Sequence, residues 1–328
     1  MEPLVPIPAH ALPVSAVAPG KCILFGEHAV VHGAPELLLA IDLTTQAIVR
    51  PSARPGPILN ADPDPAAHNA YFREALAQAW PGGPAVEVRT VSRIPRAAGL
   101  GSSAAFSASL SVAFGAATGG LDRGRLAQRA FDIERAAQGV GSPGDTSASV
   151  AGGYISLNAP GTDPLWSVRD AERSWDVRRV EDPGWLWVVA HSGVARATGP
   201  AVRAVGERFA APGGDRLLDE FARVAREGIS AVARGDRSAT IERMRRNQEL
   251  LVEVGVSHPR LEALLAAAEP SAEAAKITGA GGGGSIVALP KPGLEADLVR
   301  RLARVGGLPF VVRPSPSGAG LLGEDAPR

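Results

Sequence analysis

The chain has 328 residues, 45% hydrophobic and 21% charged, and its 34 Lys and Arg balance 34 Asp and Glu to a formal net charge of zero. That length suits two separate cores, since a domain takes about 100–200 residues, and the zero balance removes the bulk electrostatic case for a nucleic-acid or membrane partner. A single cysteine, Cys22, cannot close an internal disulfide and points to a reducing compartment. No apolar run reaches the roughly 18 residues of a membrane span, and the Met-Glu-Pro start lacks a leader pattern. The expectation is a cytoplasmic protein with a small-molecule partner.

In chain order, residues 16–25 read as a strand interrupted by Pro19-Gly20 and ended by Gly26-Glu27-His28, and strand chemistry returns at 37–43. Residues 51–65 form a Pro- and Asp-rich loop, 71–80 a short amphipathic helix, and 86–91 an alternating strand. That strand feeds Arg96-Ala97-Ala98-Gly99-Leu100-Gly101-Ser102-Ser103-Ala104, a glycine-rich turn running into an alanine-rich helix at 103–117. Glycines there allow tight turning and close approach of a ligand, and the free N–H groups of the helix start suit a phosphate. The string is neither a Walker A loop nor a dinucleotide fingerprint, and an ordinary helix cap reads equally well from the string alone.

The next helix, 123–138, carries an apolar stripe of Leu126, Ala127, Ala130 and Phe131, and Glu134 falls on the same face. A carboxylate aimed at a core needs a partner. A buried salt bridge, the capping of a neighbouring turn and a metal ion each satisfy that need. Eleven residues on, Asp145 sits in the turn-rich segment 139–146, where an Asp by itself is ordinarily a turn former. A strand follows at 154–157. Residues 159–183 are polar and proline-punctuated and hold the expected domain boundary, giving domains at 1–180 and 181–328.

The second half reads as a strand at 185–191, helices at 199–210, 216–234 and 238–254, and a further helix from 257. A second glycine loop spans 278–284, followed by a strand at 286–289, a helix at 294–305 and a strand at 309–313, with a frayed tail beyond 314. This order suggests an antiparallel sheet covered by helices on one face. Only Lys21, Lys276 and Lys291 are lysines among the 34 basic residues, so a lysine kept in a glycine-rich segment hints that an ammonium is wanted there.

Three blocks stand together: Pro19-Gly20-Lys21 with Gly26-Glu27-His28-Ala29-Val30-Val31-His32-Gly33, the 99–104 loop, and Thr278-Gly279-Ala280-Gly281-Gly282-Gly283-Gly284. In order and spacing they resemble the signature motifs of the GHMP small-molecule kinase superfamily, and the first block is most similar to its mevalonate kinase branch. The Ser142-Pro143-Gly144-Asp145-Thr146 string is similar to the archaeal-type form of that branch.

The resemblance implies an α+β protein of two domains, an N-terminal α+β nucleotide-binding domain and a C-terminal ferredoxin-like domain. It implies ATP-dependent phosphorylation of the primary 5-hydroxyl of mevalonate, with residues 96–104 on ATP, Ser103 and Glu134 as Mg²⁺ ligands, and Asp145 as catalytic base beside Lys21. Glu27, His28 and Thr198 would complete the substrate contacts with Lys21 and Asp145. A homodimer is compatible with this reading. A relative acting on an already phosphorylated acid would need extra cations near Glu27 or Asp145, and the sequence adds none there. A non-enzymatic sensor on the same fold should have lost Lys21, Glu134 or Asp145, and all three are present.

Overall fold

The computed structural model describes residues 11–322 except 63, 121, 140, 162, 196 and 197. Strand β1, Val14–Phe25, runs unbroken through Pro19-Gly20 and absorbs that pair as a register shift against its neighbour β2, Glu36–Pro51. Between them Ala29–His32 forms one 3₁₀ turn. The segment read as a loop, 51–65, supplies β3, Ile58–Leu59, and helix α1, Pro65–His68, begins at its end. Helix α2, Ala70–Ala79, is capped by the Asn69 side chain accepting from the Phe72 N–H at 3.0 Å, and β4 follows at Val86–Ser92.

Helix α3, Ser102–Ala117, is buried almost all round, which makes it the central helix of its layer. It packs across β1 and β2, and its small residues, among them the buried Ser107, Ser109 and Ser111, let those strands come close. Helix α4, Arg123–Gln138, begins on an Asp122 cap and stops at Gly139; α5, Gly144–Ala151, and β5, Tyr154–Leu157, follow. Two strands lie inside the polar stretch, β6 at Trp166–Arg169 and β7 at Ser174–Val180. Their apolar residues Trp166, Val168, Trp175 and Val177 face the core while Arg and Asp residues alternate outward.

The second unit comprises β8, Trp187–His191, helices α6, Thr198–Ala210, α7, Gly214–Ala233, α8, Arg237–Glu253, and α9, Pro259–Ala268, then β9, Ala272–Thr278, β10, Ser285–Pro290, α10, Glu295–Arg304, and β11, Leu308–Val312. These strands form an antiparallel sheet ordered β11-β8-β10-β9. That order, with helices in the crossovers, is the ferredoxin-like arrangement expected. The last strand, β12, Gly320–Leu321, returns to pair with β1. The first sheet is therefore ordered β12-β1-β2-β5-β7-β6, with β4 also on β2. The segment expected to fray is bonded to the first sheet instead, through backbone groups whose pairing no side-chain pattern announces.

Candidate active site

The glycine loop is held from two sides. The Lys21 backbone N–H donates to Leu100 O at 3.0 Å, and Ser285 Oγ, at the end of the second glycine loop, donates to Ala98 O at 2.7 Å. Two glycines make this approach possible. A Cβ on Gly20 would lie 2.7 Å from Leu100 O, and one on Gly101, whose φ is +77°, would lie 2.9 Å from Lys21 Cγ. Gly101 is the N-cap of α3 and offers no side chain to the first turn, so those N–H groups remain directed at the loop. Arg96, Ala97, Ala98, Gly99, Gly101, Ser102 and Ser103 line a cavity of about 840 Å³. Leu100 and Ala104 are buried behind it.

Across this opening Ser103 Oγ donates to Glu134 Oε1 at 2.6 Å, and Gln138 Nε2, one turn further along α4, donates to the same oxygen at 2.9 Å. The inward carboxylate therefore meets polar partners rather than a salt bridge. Burial and the nearby Asp145 carboxylate push the Glu134 pKa up to about 7, against the opposing pull of Ser103, Lys21 and Gln138. A hydroxyl and a carboxylate at the start of a helix are hard oxygen donors, and such a set suits a small divalent cation that keeps its remaining sites for phosphate and water.

The third pair is Lys21 Nζ with Asp145 Oδ2, 3.0 Å apart, with the ammonium also donating to Gly99 O at 3.0 Å. Lys21 is buried, which by itself would lower its pKa, but Asp145 first and then Glu36 and Glu134 outweigh burial and hold it raised. Asp145 was expected in a turn; it is the second residue of α5, which puts its carboxylate at the helix start beside the glycine loop. The helix forms although Gly, Asp, Thr and Ser are weak helix formers. It is sheltered by burial of Thr146 through Ala151 against the first sheet.

Glu27 and His28 lie on the same wall of the cavity. His28 is buried and adopts φ +63°, a conformation costly for a non-glycine residue. Glu27, expected as a substrate contact, borders the cavity and is also held by the second unit. Its Oε1 is paired with Lys276 Nζ of β9, and Asn247, with its amide turned to satisfy its neighbours, donates to Oε2 at 3.2 Å and to Leu24 O at 3.3 Å. Both oxygens are thus engaged from the second unit. Burial pushes the Glu27 carboxyl up and the Lys276 ammonium down, each opposed by the attraction of the other.

Thr198 is the first residue of α6, and its side chain, like Arg196 and Ala197, lies outside the described residues. The same end of α6 does reach the cavity through Gly199, Pro200 and Arg203. Sequence reasoning missed Arg203, Glu36 and the partnership of Lys276 with Glu27. A lone acid opening an apolar strand and a lysine in an arginine-rich protein were the available signals. Among the described residues no group of three or more His, Cys, Asp or Glu could cage a metal, and no helix is long and apolar enough to cross a membrane.

The chain is similar to known proteins along most of its length. The GHMP kinases N-terminal domain model matches residues 67–153 and the GHMP kinases C-terminal model residues 229–307. The chain is 33% identical over 308 residues to the mevalonate kinase of Methanothermobacter thermautotrophicus, covering 88% of this chain and 94% of that one. It is 33% identical to the mevalonate kinase of Archaeoglobus fulgidus, covering 84% and 92%. Its fold is similar to the crystal structure of L. major mevalonate kinase in complex with R-mevalonate, with a TM-score of 0.77 at 23% identity over 94% of this chain and 99% of that one. The Streptococcus pneumoniae phosphomevalonate kinase is also similar in fold, with a TM-score of 0.74 at 18% identity over 93% of this chain and 100% of that one. The chain belongs to the GHMP kinase family, alongside relatives that are mevalonate kinases.

Proposed function

We propose that this protein transfers the γ-phosphoryl group of ATP to the primary 5-hydroxyl of mevalonate. The observation that carries the reading is the meeting, in one cavity, of the Lys21–Asp145 pair, the Ser103–Glu134 pair and the open N-terminus of α3. The names of relatives similar in sequence supply the acceptor.

Phosphoryl transfer asks a protein mainly for positioning and charge stabilisation. The first-turn N–H groups of α3 bind the β- and γ-phosphates by backbone, with Arg96 on the rim of the same cavity. Ser103 and Glu134 would hold Mg²⁺, which when bound supplies positive charge to the phosphate oxygens. Asp145 accepts the proton of the attacking hydroxyl. Lys21 has two of its three ammonium hydrogens directed at Asp145 and Gly99 O among the described residues, which leaves one for the oxygen on which charge develops. His28 would form the acceptor side of the cavity, and α6, whose first residue is Thr198, lines the cavity through Arg203. The single cysteine, buried in β1, fits a cytoplasmic setting.

The test is an ATP-consumption assay across mevalonate, phosphomevalonate, homoserine and galactose. Mevalonate should be turned over fastest, and Asp145→Asn should lose about 10²–10⁴-fold in kcat while retaining nucleotide affinity, the span expected of a general base. No turnover of mevalonate, or near-normal kcat in the variant, overturns the reading.

A further inference from the structure

Glu36 opens β2, ahead of a run of buried apolar residues, and is only 2% exposed. Its Oε2 sits over Gly144, the first residue of the helix carrying Asp145; a Cβ on that glycine would lie 2.3 Å from the oxygen. Ser142 Oγ donates to the same oxygen at 3.5 Å. The other oxygen, Oε1, has no hydrogen-bond partner among the described residues, although Glu36 borders the cavity that holds Lys21 and Asp145.

Glu27 provides the contrast. It is equally buried, yet both of its oxygens are engaged, as a purely structural buried acid requires. A buried carboxyl that borders a cavity with one oxygen seated and the other unpaired among the described residues is arranged for something that enters the cavity.

We propose that Glu36 is a specificity-determining residue of the acceptor subsite, where its carboxyl, seated between Ser142 and Gly144, donates a hydrogen bond from Oε1 to an oxygen of a small hydroxy acid. The proposal rests on the phosphoryl-transfer reading above. The groups that face Glu36 are Lys21 on β1, Glu27 beyond the end of that strand, and Ser142 and Asp145 at the start of α5. Burial first, and then the Asp145 charge, keep its carboxyl protonated well above the usual carboxylate range, and Lys21 does not reverse this. The acid form has one O–H to give, whereas the ionised form would place a second anion beside Asp145 and repel an anionic acceptor.

The experiment compares steady-state kinetics of the wild type, Glu36→Gln and Glu36→Ala from neutral pH into the alkaline range, with mevalonate or whichever acceptor of the panel the wild type phosphorylates. Wild-type turnover decides the earlier reading before any variant is compared, so the two ideas fail separately. Glu36→Ala should raise acceptor KM about tenfold or more, the worth of a hydrogen bond to a charged group, with nucleotide KM within about twofold. Glu36→Gln keeps a donor and should restore acceptor KM to within about threefold at neutral pH.

The direction of the pH effect follows from the raised pKa. The donor is present below it and lost as pH rises through it, so wild-type acceptor KM climbs in the alkaline range while that of Glu36→Gln does not. An unchanged acceptor KM in Glu36→Ala, a Gln variant as impaired as Ala, or superimposable pH profiles for wild type and Gln would each overturn the proposal. Should Glu36→Ala fail to fold, the near-isosteric Gln variant still delivers the pH comparison.

Discussion

Glu27 and Lys276 stand 249 positions apart and meet as a fully buried ion pair between the two units. Desolvation of two charges is offset only where the remaining hydrogen-bonding capacity is used. Here Lys276 Nζ also donates to Ile277 O at 2.6 Å, and the Asn247 amide holds the second Glu27 oxygen. Removing one partner strands the other, so Lys276→Met should cost about 3–5 kcal/mol. Glu27→Leu/Lys276→Met, which removes both charges, should recover roughly half of that or more. Urea unfolding of the two single variants and the double variant measures this directly. Additive single losses would show that the pair is not coupled. The neighbouring His28 follows directly after Glu27 at positive φ.

Helices with strong local signals were legible: 103–117 and 123–138 were expected, and α3 and α4 span Ser102–Ala117 and Arg123–Gln138. Glu134 was legible too, because its place on an apolar stripe is a local periodicity. The start of α5 was not. Its Gly-Asp-Thr-Ser sequence has turn chemistry, and the helix exists through burial against a sheet made from distant strands. Strands β6 and β7 were hidden by the charges on their outward faces. Glu36 and Lys276 escaped because their partners lie far away in sequence. Local propensity also misleads at Gly228, inside α7. Gly→Ala in a helix interior ordinarily gains about 0.5–1 kcal/mol. At this position, however, an added Cβ would lie 2.6 Å from the Phe25 ring, which is fully buried and has no room to retreat. Overpacking of this kind costs about 1–3 kcal/mol, so Gly228→Ala should lower Tm despite the better propensity. A raised Tm would mean that α7 can shift away from β1.

At the scale of the whole molecule the chain passes between the two sheets twice, once where it first crosses at β8 and again where it returns. After β11 the backbone is bonded to the first unit almost residue by residue. Arg313 O accepts from the Asp42 N–H at 3.1 Å, Ser315 N donates to Ala40 O at 2.9 Å, and Gly153 N donates to Ser315 O at 2.6 Å. Ala319 N then donates to Ser149 O at 2.8 Å, and Arg123 reaches both Val150 O and Ala319 O. The returning segment therefore braces the C-terminal end of α5, whose other end carries Asp145 and rests against Glu36. Gly318 is where the brace fits most tightly, since a Cβ there would lie 1.9 Å from Val150 O, a backbone atom that cannot swing aside. Gly318→Val should consequently lift the segment off α5. The expected outcome is a loss of about 2 kcal/mol or more, rapid proteolytic cleavage beyond Arg313 under native conditions, and a several-fold fall in kcat. Nucleotide KM should change by less than about twofold, because the phosphate-binding turn belongs to α3, whose start is pinned by Lys21 and by Ser285 rather than by the tail. If Gly318→Val is as protease-resistant and as active as the parent, the tail only covers the sheet edge and plays no part in holding the helix that bears Asp145.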